Sequence, residues 1–199
     1  MSIIVSKTRD MLIDVARQLF ARIGVDDTTM NDIAMASKKG RRTLYTYFKN
    51  KNEIYQAVVE TELNRLYKML QDVAVKDLPA DEKLITFIYT RLDAIKAIVL
   101  RNGTLRANFF RDIWRVEKVR KNFDIRETEL IKGILEAGIK EHVFEMPDVG
   151  ITAVVLHHAL KALEVPYIRG SMGDTTNQRL RRKDNVVNLI FNGIKIKKL

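Results

Sequence analysis

Cysteine is absent from the 199 residues. Disulfides, thiol nucleophiles and thiolate-held metals are therefore excluded at once. Proline occurs only three times, at Pro79, Pro147 and Pro166, so there are few points at which a helix is forced to stop. Aromatic residues make up 8% of the chain, with Trp114 the one tryptophan. No run reaches the roughly 18 apolar residues of a membrane span; the nearest, GITAVVLHHAL at 150–160, carries two histidines. The opening MSIIVSKTRD has too short an apolar patch for a secretory signal. These features give the expectation of a cytoplasmic protein without membrane contact. His142, His157 and His158 show no HxxxH pair, so neither a metal nor a cofactor is expected. No phosphate loop or nucleophile–base spacing suggests an enzyme. The acidic pair Asp26–Asp27 precedes a helix and reads as capping chemistry.

What is present is a long, basic, helical pattern. Apolar residues make up 46% of the chain, enough for a real core, and the net charge is +10, which favours a polyanionic partner. Period-2 strand runs are missing, and 3.6-residue periodicity runs through most of the chain, so the fold class is all-α. Leu12, Val15, Ala16, Leu19, Phe20 and Ile23 form one helical stripe, closed by Gly24 at a left-handed cap position. Thr29 with Asp32 three residues on resembles a capping box, so a short helix starts near Met30 and buries Ile33 and Ala34. After Lys38-Lys39-Gly40 another short helix starts near Arg41, with Leu44 and Phe48 inward. Asn50 is placed to cap a long helix from Lys51 to about Val75. Pro79 reads as the first residue of the next helix, to about Leu100. Further helices are expected at about 104–115, 122–144, 148–166 and 177–195.

The stretch SKKGRRTLYTYFKNK, 37–51, sets Lys38, Lys39, Arg41, Arg42, Lys49 and Lys51 among Tyr45, Tyr47 and Phe48 without one acid. A solvated face would explain the charge alone. Two short helices joined by a tight turn behind a longer one read instead as a helix-turn-helix, at about 29–48. In that motif the second short helix enters the major groove. Arg41 and Arg42 on its first turn suit bidentate contact with guanine. Tyr45 and Tyr47 can bond phosphates, and Thr29 with the free amides of its helix forms a second phosphate site.

The segment ARQLFARIGVDDTTMNDIAMASKKGRRTLYTYFKNKNEIYQAVV resembles the N-terminal domain of the tetracycline-repressor (TetR) family of bacterial transcriptional regulators. Its LFARIG helix end, Thr-Thr before the second helix, DIA, TLYTYF and KNKNEI carry the likeness over about residues 7–60. Lys38 and Lys39 depart from the glycine and apolar residue usual in the family's turn, and Gly40 stands where a serine cap is common. The resemblance implies a three-helix DNA-binding domain, 1–51, and a larger helical ligand-binding and dimerisation domain, 52–199. It implies double-stranded, palindromic operator DNA, a homodimer, and release by a small molecule. DNA contacts carried over by position fall on Thr29, Lys39, Gly40, Arg41, Arg42, Thr43, Tyr45, Thr46, Tyr47 and Lys51. A dimer interface is expected on the helices at 151–165 and 177–195, at Val155, Leu156, Leu160, Leu163, Val187, Ile190, Phe191 and Ile194. An effector pocket is placed at Met69, Phe87, Tyr89, Arg91, Phe109, Phe110, Arg111 and Trp114. Those apolar residues suit an apolar or amphipathic effector, and Arg91, Arg106 or Arg111 would admit an anionic head group. The competing reading is a helical small-molecule- or partner-binding regulator that has lost DNA binding.

Overall fold

The structure, a computed structural model, describes residues 2–101 and 113–169, with side chains from residue 7 in the first span and 119 in the second. Seven helices and no strand occur among the described residues. They are α1 (Ser2–Ile23), α2 (Met30–Ala36), α3 (Arg41–Tyr47), α4 (Lys51–Ala74), α5 (Ala80–Arg101), α6 (Ile113–Lys140) and α7 (Val149–Ile168). The helix expected at 104–115 falls largely, and that at 177–195 wholly, outside the described residues.

The chain forms two compact units. One comprises Met1–Asn64 with Ala97–Lys121, the other Arg65–Lys96 with Asn122–Leu199. The cuts fall inside α4, α5 and α6.

In the first unit, Leu12, Ile13, Ala16, Leu19 and Phe20 of α1 bury against Ile33 and Ala34 of α2, Leu44 of α3, and Ile54, Ala57 and Val58 of α4. Ile23, expected on the α1 stripe, is exposed at the helix end. Gly24 follows with φ +95°, donating to the Phe20 carbonyl at 3.1 Å. Only glycine enters that region without steric cost. Asn50 Oδ1 accepts from the Glu53 amide at 3.0 Å, capping α4. Also in this unit, Glu62, nearly fully buried, pairs with Arg101.

The second unit buries Leu66, Leu70 and Val73 of α4, Leu84, Phe87, Ile88 and Leu92 of α5, Ile131, Ile134 and Leu135 of α6, and Ala153, Leu156 and Leu160 of α7. Pro79 lies just before α5, not inside it: its carbonyl accepts from the Lys83 amide. The Ala80 amide donates to Glu141 Oε2 at 2.8 Å, so the end of α6 caps the start of α5. The α6 helix stops at Lys140 because His142 turns left-handed, with φ +56°. The amides of His142 and Val143 then return to the Ile139 and Gly138 carbonyls, the double bond of a Schellman end. Asp148 caps α7, accepting from the Ile151 amide at 2.8 Å.

By length and composition α7 is long and apolar enough to cross a membrane, contrary to the reading of its sequence. Its buried residues, however, include His157, hydrogen-bonded to Glu127, and Glu164, ion-paired with Arg91. That arrangement belongs to a core helix of a folded domain.

Candidate nucleic-acid interface

The interface is built from the caps inward. Thr29 is the N-cap of α2, with extended backbone. Its Oγ1 accepts from the Asp32 amide at 3.2 Å, and its own amide donates to Asp32 Oδ2 at 2.8 Å. The hydroxyl also donates to the same carboxylate oxygen at 2.7 Å. These bonds hold the Asp32 carboxyl below its ordinary value of 3.8, the Thr29 hydroxyl being the larger cause. The expected phosphate site at this helix end is therefore smaller than its sequence implies. The capping box consumes two donors and sets a carboxylate at the helix end. Thr28, fully buried, donates its hydroxyl to the Gly24 carbonyl at 2.6 Å and shapes the approach to the cap.

The turn resolves the departure at Lys38. Lys38 itself adopts the left-handed conformation, φ +52°. Its amide donates to the Met35 carbonyl and the Lys39 amide to the Ala34 carbonyl, both at 3.1 Å. The turn is again a Schellman end, with a lysine where glycine would be unstrained. Buried Ser37 helps by donating its hydroxyl to the Ala34 carbonyl at 3.0 Å. Gly40 then caps α3 with extended backbone and no side-chain bond.

Leu44, fully buried, pins α3 to the core, and Phe48 closes it. Arg41, Arg42, Tyr45 and Thr46 are exposed and Thr43 is half-buried, so five of the expected contacts share one helix surface. Thr46 spends its hydroxyl on the Arg42 carbonyl at 2.9 Å. Tyr47 is half-buried against the core cluster and serves the scaffold as well. Lys51 Nζ donates to the Asp26 carbonyl at 2.8 Å, tying the start of α4 to the loop before α2. Its positive charge is not cancelled by this bond, because the acceptor is a neutral carbonyl. Among the described residues, none of Lys38, Lys39, Arg41, Arg42 and Lys49 pairs with a carboxylate.

The expected pocket residues do not come together as one lining. Met69 is 47% exposed, Phe87 is fully buried core, and Tyr89 is half-buried. Arg91 is neither a surface cation nor an anion receptor, because it is fully buried and already neutralised. Its Nε donates to Glu127 Oε1 at 2.5 Å and its Nη2 to Glu164 Oε1 at 2.7 Å, while Nη1 reaches the Leu160 carbonyl at 3.3 Å. Phe109, Phe110 and Arg111, like Arg106, lie outside the described residues, as does the side chain of Trp114.

Three of the four α7 residues expected at a dimer interface are not exposed. Leu156 and Leu160 point into the unit's own core, at 6% and 0% exposure, and Leu163 is half-buried. The exposed stripe is Ile151, Val154, Val155, His158, Ala159 and Ala162, of which only Val155 was on the expected list. The spacing i, i+3, i+4, i+7, i+8, i+11 could have found it. It was masked because α7 is apolar on both sides, and its buried face carries the polar His157 and Glu164. Val187, Ile190, Phe191 and Ile194 lie outside the described residues.

Residues 12–58 match the family model described as bacterial regulatory proteins, tetR family. Over 148 residues the chain is 25% identical to the HTH-type transcriptional regulator YhgD of Bacillus subtilis, covering 74% of this chain and 78% of that protein. It is 28% identical over 142 residues to the HTH-type transcriptional repressor KstR2 of Rhodococcus jostii, covering 70% and 69%. In fold it is similar to the crystal structure of a transcriptional regulator from Cytophaga hutchinsonii, with TM-score 0.73 and 23% identity over 94% of this chain and 98% of the other. A family match centred on the three packed helices and an unpaired basic surface on α3 converge: residues 12–58 are a DNA-binding domain of the tetR family of bacterial regulatory proteins.

Proposed function

We propose that this chain is a homodimeric repressor that holds a palindromic operator and releases it when a small molecule binds the part of the chain after residue 51. One observation carries the DNA half of this reading. Arg41 and Arg42 stand exposed on the first turn of a helix anchored by buried Leu44, and no carboxylate of the described chain competes for them. Arginines so placed can meet guanine edges in the major groove, while Tyr45, Lys39 and Lys51 meet phosphates. The amides of Thr43 and Gly40 lie on the same turn. Family members bind operator DNA, form homodimers and take small-molecule effectors. The apolar stripe Ile151–Val154–Val155 on α7 supplies a surface for the second copy. The protein acts in the cytoplasm, as a regulator rather than a catalyst. Its effector is apolar or amphipathic, and Arg91, locked in its ion pairs, takes no part in binding a head group.

Selection of duplexes from a random pool at stated salt, with sedimentation of the same preparation, tests this directly. The expected outcome is a dimer and an inverted repeat with half-sites about 34–36 Å apart. A monomer that holds single half-sites tightly, or no enrichment at all, overturns the reading.

A further inference from the structure

We infer that His157 and Asp124 form a binding site for a divalent transition-metal ion in the second unit, with Glu127 orienting the imidazole. His157 is 3% exposed, and its Nδ1 lies 2.7 Å from Glu127 Oε2. Glu127 is fully buried and its other oxygen takes the Arg91 guanidinium. With Nδ1 donating to Glu127, Nε2 is the ring nitrogen whose lone pair a metal ion would take. That Nε2 is buried and has no hydrogen-bond partner among the described residues, which is uncommon for a buried polar atom.

Nε2 faces Asp124 Oδ1 at 3.8 Å, too far for a hydrogen bond. Two metal bonds of about 2.1 Å would bridge that gap at an angle of roughly 130°, open by some 20° from a tetrahedral site. The carboxylate is already fixed, because Asp124 Oδ2 receives Lys161 Nζ at 3.1 Å. Ligand atoms of Asp124, Glu127 and His157 all lie within 4.8 Å of one another. A carboxylate holding the far nitrogen of a ligating histidine is the usual support of such a ligand. Imidazole and carboxylate donors without sulfur select ions of the zinc, nickel and cobalt class. Two protein ligands leave coordination positions open for water or a chelating molecule.

The test uses untagged full-length protein, stripped with a chelator, in a His142→Asn/His158→Ala background in which His157 is the one remaining histidine. Titration with Zn²⁺ alone, and with Co²⁺ followed by its visible absorption, should show one ion per chain. The His157 Nε2 resonance should move on Zn²⁺ addition. Asp124→Asn keeps the shape and should weaken binding at least tenfold; its helical circular dichroism reports whether it folds. Should that variant fail to fold, the Nε2 resonance of the background protein decides alone. No stoichiometric binding, an unmoved Nε2 resonance, or full affinity in folded Asp124→Asn overturns the site and leaves a water bridging Nε2 and Oδ1 as its occupant.

Discussion

Two glycines five residues apart in α6 should respond in opposite directions to the same substitution. Replacing a mid-helix glycine by alanine stabilises by about 0.8–1 kcal/mol on helix propensity alone. At Gly133 nothing lies within 4 Å of the added methyl, so Gly133→Ala should realise that gain. At Gly138 the methyl would sit 2.1 Å from Phe144 Cδ2, 2.5 Å from Cε2 and 2.8 Å from Cγ. Carbon atoms pack at about 3.5–4.0 Å, so the ring must retreat by more than an ångström. It has little room, being 2% exposed. Nor can the backbone yield easily, because the Val143 and Phe144 amides both donate to the Gly138 carbonyl, at 2.9 and 3.1 Å. Overpacking of this kind costs about 1–3 kcal/mol. With the ring pinned the upper part of that range applies, and the net effect of Gly138→Ala is a loss of about 1–2 kcal/mol after the propensity gain. In a chain of this size each kcal/mol moves the melting midpoint by about 2–4 °C. Thermal melts should therefore show Gly133→Ala up by about 2–4 °C and Gly138→Ala down by about 2–8 °C. Phe144→Leu placed in the Gly138→Ala protein should cost less than it does in the parent, because the two side chains contend for one space. Equal stabilisation by both alanines would refute the steric reasoning.

The remaining predictions concern the DNA-binding unit. Arg41→Ala or Arg42→Ala should cost about 1–3 kcal/mol on the selected duplex and relax preference at one or two base positions. Lys51→Ala should instead weaken all duplexes about equally and flatten the salt dependence by about one unit; competition binding at several salt concentrations separates the two patterns. Lys38→Gly should raise unfolding stability by about 1 kcal/mol by removing the left-handed strain, whereas Lys38→Ala should not, and urea melts of the pair decide. Asp32→Asn should destabilise at neutral pH, since Asp32 has a depressed folded-state value. The advantage of the parent is present above 3.8 and is lost as pH falls through that lower value. Melts from neutral to strongly acidic pH should show the two proteins converging at the acid end, and a gap that persists there would contradict the capping assignment.

The first unit was legible in sequence because its signals are local. Thr29 and Asp32, Gly24, Asn50 and the spacing of Ile33, Leu44 and Phe48 each act within one or two helical turns, and each stands where expected. The Lys38 turn was half legible: lysine says nothing about positive φ, and the two returning amide bonds decide it. The second unit was less legible because its polar residues find partners far away in the chain. Arg91 meets Glu127 and Glu164, 36 and 73 positions on, and His157 meets Glu127 across 30. No periodicity reports such pairs, so Arg91 reads as a surface or pocket charge, and His157 as a residue of no consequence. The same hidden network inverts the reading of α7. A helix whose inner face carries polar groups and whose outer face is apolar looks uniform from its sequence, so the burial of Leu156 and Leu160 in the unit's own core is not legible there.

The unpaired cations around α3 bear on what repression would mean in a cell. Lys38, Lys39, Arg41, Arg42 and Lys49 give up no ion pair with the described residues on meeting DNA, so every duplex, whatever its sequence, is an acceptable resting place. Counterion release alone holds such a surface on DNA at moderate salt. The protein would then spend its time distributed along the chromosome, and operator occupancy would be a competition between one site and a vast excess of ordinary sequence. An effector need not drive the protein into solution to relieve repression. Lowering the preference of two arginines for their bases would be enough, since the rest of the genome would absorb the molecule.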